Sequence, residues 1–131
     1  MKLRKITIED EVYLYVMKGN IDFSSQESTL SLKIFLSDYK LTPLFVNFVT
    51  WDDPIIGHPL NFGFPLFKSL TGEKEVVNLN RPKYVRACIL YGLEKGWNGK
   101  NKLEPLDGLE ILSNLGYDVS ILTIKKEDST K

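Results

Sequence analysis

Acid and imidazole groups come together at one place in this chain, the loop Trp51-Asp52-Asp53-Pro54-Ile55-Ile56-Gly57-His58-Pro59-Leu60. Two carboxylates and an imidazole can hold a metal, or a carboxylate can orient His58 as a general base. The same residues have a plainer reading. Asp52 and Asp53 open a turn before Pro54, and His58 sits in a proline-rich loop. A catalytic metal usually takes three protein ligands, and His58 is the sole histidine. A hard cation such as Mg²⁺ could use the two carboxylates with waters. The scaffold role is preferred, and a small metal-dependent or hydrolytic enzyme using Asp52, Asp53 and His58 is the alternative.

The single cysteine, Cys88, could pair with His58 as a nucleophile. It lies instead in an apolar stripe with Val85, Ile89 and Leu93, where burial raises a thiol's pKa and quiets it. No G-x-x-x-x-G-K-[ST], G-x-G-x-x-G or G-x-S-x-G signature occurs in the sequence. No catalytic residue, metal or cofactor is therefore expected.

A contact surface is the stronger expectation. Arg81, Lys83 and Arg86 fall on the exposed first turns of a helix over about 81–95, where a solvated polar face is the bland reading. Tyr84 and Tyr91 are seven apart on that helix, on one side, about 100° from the core stripe. They either present a Tyr/Arg hot spot or flank the core seam. Trp97 follows the helix stop and is read as a lid packing back over its end. Trp51 ends a strand and could form a wall beside Asp52 and Asp53. The residues selected for binding are thus Trp51, Asp52, Asp53, Tyr84, Arg86 and Tyr91.

The helix carries the clearest local signals. Val85, Cys88, Ile89, Gly92 and Leu93 recur at i, i+3, i+4, i+7 and i+8. Asn80 is the expected N-cap, Pro82 suits the first turn, and Gly96 offers a left-handed exit. Most of what precedes it reads as strand. Residues 3–8 and 12–18 form a hairpin around Glu9-Asp10-Glu11. The second of these is apolar on both faces, so it should be covered on both sides. A polar loop spans 19–28. Residues 30–36 alternate apolar with polar, and 44–50 form a fourth strand that Pro43 opens. Trp51–Gly63 is a loop, 64–70 a short strand or turn of helix, and 75–78 a brief strand. Asp107 and Glu110 make a capping box before a short helix with Leu109, Leu112 and Leu115 inward and Gly116 as its stop. Tyr117–Ile124 reads as a last strand by its β-branched content.

The 131 residues suit one domain, 1–124, followed by a frayed polar tail, 125–131. Seventeen basic residues balance seventeen acidic ones, which gives no global pull toward nucleic acid or anionic lipid. No run approaches a membrane span, and the N-terminus lacks the apolar core of a signal peptide, so a cytoplasmic protein is expected.

The run Asn80-x-Pro82-x-x-Val85-x-x-x-Ile89-x-x-x-Leu93-x-x-Gly96-Trp97 resembles small bacterial α+β proteins of uncharacterised role, in which several strands precede a helix ending in Gly-Trp. The resemblance implies that build and no particular activity. By analogy of size and style, some such proteins neutralise toxins. The reading is an α+β domain: an antiparallel sheet of about five or six strands, one main helix on one face and a second short helix. Its expected role is a non-catalytic protein-binding module with a protein partner or a second copy of itself, a homodimer. Nucleic acid and membrane are not expected partners.

Overall fold

The computed structural model describes residues 3–22 and 24–123. The expected tail, 125–131, lies outside them. Strands β1 (Arg4–Ile8), β2 (Glu11–Asp22), β3 (Glu27–Leu36) and β4 (Leu44–Trp51) form an antiparallel meander. Glu9 and Asp10 make the two-residue turn of the first hairpin with φ of 48° and 70°, the primed geometry that matches strand twist. A two-residue strand, β7 (Leu106–Asp107), adds to β4 in parallel, giving the order β1-β2-β3-β4-β7. The sheet is therefore mixed and mostly antiparallel rather than wholly antiparallel. β5 (Phe64–Phe67) and β6 (Lys74–Val77) pair as a separate two-stranded sheet.

The polar stretch 19–28 is mostly strand rather than loop. Ladder hydrogen bonds run out to Asp22 and Glu27, because pairing needs backbone groups and not apolar side chains. Among the described residues of the expected last strand, 117–123, none belongs to a strand. Asp118 Oδ1 accepts from the amide of Ser120, and the chain turns into a 3₁₀ helix, Ser120–Leu122. Its carbonyls are taken by side chains of β4. Thr50 Oγ1 donates to the Leu122 carbonyl and Trp51 Nε1 to that of Ile121.

Helix α2 (Pro82–Glu94) packs across the inner face of the sheet beside α3 (Gly108–Asn114), while α1 (Pro59–Phe62) is a single turn inside the expected loop. Val85, Cys88, Ile89 and Gly92 are buried as the stripe requires, but Leu93 lies at its edge and is 36% exposed. Arg81, not Asn80, is the N-cap, and it makes no side-chain cap bond. Asn80 Nδ2 is spent on Asn61 and Asn78 instead. At the other end, Gly96 adopts φ +112°, and the amides of Gly96 and Trp97 return to the carbonyls of Leu93 and Gly92. That turn delivers Trp97 into the core, its ring tilted 39° to that of Tyr13 at 6.0 Å, with Nε1 donating to the Thr42 carbonyl. Asp107 caps α3 through the Leu109 amide, and Ile111 rather than Leu115 completes its buried side.

One core cluster gathers the inner face of the sheet, both longer helices and the two-stranded sheet. Tyr13 and Tyr15 are the core side of β2, and Leu30, Leu32, Ile34, Leu44, Val46 and Phe48 continue it. Val12, Leu14 and Val16 point the other way, and no described element packs on them. The expectation that β2 is covered on both faces fails for this reason.

A candidate binding face

The Trp51–Leu60 loop is built as scaffold. His58 is buried and caps α1: its Nδ1 accepts from the Leu60 amide, and its Nε2 lies 2.9 Å from the Phe48 carbonyl, to which it donates. Burial pushes the imidazole below its ordinary value, only partly opposed by the Phe48 carbonyl and the Asp52 carboxylate. Both ring nitrogens are thus committed. Asp53 Oδ1 accepts from the amides of Ile55 and Ile56 and holds the turn. Asp52 Oδ1 is buried without a hydrogen-bond partner. Asp52 and Asp53 line a shallow recess with Ile55 and Ile56, and His58 is not among its walls. Among the described residues, no group of three or more His, Cys, Asp or Glu is placed to hold a metal. Trp51 is half-buried, edge-on to Phe64 at 5.6 Å.

Helix α2 separates the residues that sequence spacing grouped. Tyr84 is 3% exposed. Its hydroxyl donates to Glu75 Oε2 at 2.5 Å, beside donors from Tyr117 at 2.7 Å and Lys83 at 2.9 Å. These donors hold the Glu75 carboxyl down at about 2, and the network ties β6 to α2 and to the end of α3. Burial, with Glu75 beside it, pushes the Tyr84 hydroxyl well above its usual range. Tyr84 is therefore a seam residue. Tyr91 is half-buried, hydrogen-bonded by Asn114, and lines a cleft between α2 and α3 with Leu90 and Leu115. Arg86 is exposed on the same helix. Cys88 is in the core, and burial alone pushes its thiol up to about 12.

The surface that sequence reasoning missed is the outer face of the large sheet. Register places Val16 beside Lys33, Lys33 beside Phe45, and Leu14 beside Phe35, all on the side away from the helices. Their side chains belong to no part of the core cluster. Val16, Phe35, Phe45 and Leu3 line a recess of about 560 Å³ with three lysines, of which Lys33 stands between Val16 and Phe45, and Lys18 and Lys40 complete the set. Lys33 Nζ stands 6.0 Å from the Phe45 ring centroid, and Ser31 Oγ donates to Asn47 Oδ1 at 2.8 Å across the strands. Among the described residues the ion pairs are Lys68–Glu75 and Lys83–Glu75, so none of these three lysines is paired. Among the described strand residues, the carboxylates on this side are Asp22 and Glu27, opposite each other at the far end of β2 and β3, and Asp107, which caps α3. The signal in the sequence is the second apolar face of β2, Val12, Leu14 and Val16, which ends in Lys18, together with Lys33 and Phe35 at alternate positions of β3.

No family model, no characterised protein and no solved structure matches this chain. Among the described residues, no helix is long and apolar enough to cross a membrane.

Proposed function

We propose that this chain is a non-catalytic protein-interaction module, which masks a partner's surface by docking it on the outer face of the five-stranded sheet. One observation carries the reading: an apolar recess outside the core cluster, lined also by lysines that among the described residues join no carboxylate. A sheet face of this kind is normally buried against another layer. Contiguous apolar surface with a polar rim marks an interaction site. Neutralisation of a toxin in a bacterial cytoplasm is one job of this type, and it belongs to the proposal by analogy of size and style alone. The enzyme alternative is weakened because both His58 nitrogens are occupied by the backbone. A second docking surface is the α2–α3 cleft, where Tyr91 sits with exposed Leu90 and Leu115, and Arg86 lies on the same helix.

The test is photo-crosslinking in the native cells with a benzophenone side chain placed at Phe45, at Leu90 and, as a control, at the exposed Ile55. The expected result is a discrete protein adduct from position 45 and none from 55. Adducts from 90 alone would move the site to the cleft. No adduct at either 45 or 90 would end the binding-module reading.

A further inference from the structure

The partner's chemistry follows from the same recess, so this inference rests on the reading above. We infer that the outer face receives an amphipathic helix with acidic flanks.

Layer geometry supplies the first argument. The inner face of the sheet already carries α2 and α3, and a helix on the opposite face would complete a three-layer sandwich. A partner helix would lay its apolar stripe on Val16 and Phe45, with the exposed Leu3 at the edge, as in other helix-in-groove recognition.

Charge supplies the second. Lys18 on β2 and Lys33 on β3 are diagonal neighbours across one strand pair, with Phe45 next in line on β4. Diagonal positions lie roughly 7–8 Å apart. Carboxylates beside the apolar stripe of a helix can therefore meet Lys18 and Lys33, and Lys40 lines the same recess. A second copy of this chain would instead stack lysine on lysine. A single-stranded nucleic acid would need open ring faces, yet Phe35 is only 5% exposed and leaves Phe45 as the single accessible ring of the recess.

The experiment is a display selection on the full chain. The library is a helical peptide of about 18 residues with a fixed apolar stripe and randomised flanks. The Phe45→Ser variant serves for counter-selection. Position 45 is on the surface and outside the core, and a thermal melt verifies that the variant folds. The expected result is enrichment of Asp and Glu on the flanks. Binding of the selected peptides should fall tenfold or more on the Lys18→Gln/Lys33→Gln double variant. It should fall similarly between about 0.05 M and 0.5 M salt.

Enrichment of basic or uncharged flanks would overturn the inference, as would peptides that bind Phe45→Ser equally well. Tighter binding of phosphatidylglycerol vesicles or oligo-dT than of any selected peptide would overturn it too. If position 45 crosslinks a protein through a basic or extended segment, the docking face stands and the acidic helix falls.

Discussion

At the scale of single residues, the titrating groups serve architecture. His58 is the sole histidine, so acid sensitivity between about pH 5 and 7 has one ordinary source. The unfolded chain takes up a proton near pH 6.5, but the folded one resists until lower pH because burial penalises the charged imidazolium, and Nδ1 is already accepting from the Leu60 amide. Between those values the unfolded state binds more protons, so stability is full above pH 6.5 and declines below it. Glu75 adds a second step lower down. Its folded value of about 2 lies under the ordinary 4.5, so its contribution is present above 4.5 and is lost as pH falls toward 2. Asn at position 58 can still cap α1 but cannot titrate. His58→Asn should cost about 1–3 kcal/mol at pH 7.5 through the lost Phe48 bond. It should also flatten the decline in denaturation midpoint from pH 7.5 to 5.5. Parallel pH profiles for the two proteins would show that His58 is not the group responsible.

At the scale of elements, α2 sits as close as it does because Gly92 has no side chain. A Cβ there would lie 2.6 Å from Leu44 Cδ2, and Leu44 is fully buried. Alanine gains about 1 kcal/mol of helix propensity over glycine, but overpacking costs about 1–3 kcal/mol. Gly92→Ala should therefore destabilise by up to about 2 kcal/mol in urea titrations. Leu44→Ala should relieve that clash, so that a double-mutant cycle shows positive coupling between the two sites. A Gly92→Ala protein more stable than the parent would mean that α2 does not seat on Leu44. This contact explains what the sequence discloses and what it withholds. The i, i+3, i+4 stripe, Pro82 and Gly96 are local signals, and α2 forms where they place it. The strands over 4–8, 30–36 and 44–50 and the short strands near 64–67 and 75–77 are equally legible. By contrast, β7 and the turn that replaces the last strand are set by β4, which lies far away in sequence. In the sequence Tyr84 stays open between surface and seam because helical periodicity alone cannot see Glu75 and Tyr117 closing over it.

At the scale of the whole molecule, a neutral total conceals an uneven distribution. Seventeen positive and seventeen negative charges cancel, yet the lining of the outer recess is cationic. The candidate face was hard to read because an apolar strand on both sides ordinarily means that both sides are covered. Here no described part of the chain supplies the second cover. The same asymmetry has a consequence for self-association. Two copies meeting through this face would gain apolar contact between the Phe45 regions but would bring Lys18, Lys33 and Lys40 against their counterparts. At about 0.02 M salt the Debye length exceeds 20 Å and the repulsion acts across the whole recess, whereas at 1 M it shrinks to about 3 Å. Sedimentation velocity should therefore show a monomer at low salt and measurable self-association at high salt. The Lys18→Gln/Lys33→Gln variant should associate already at low salt, and Phe45→Ser should remain monomeric in both. Association that is strongest at low salt, or that survives Phe45→Ser, would assign self-contact to another surface and leave the recess lysines without the role argued for them.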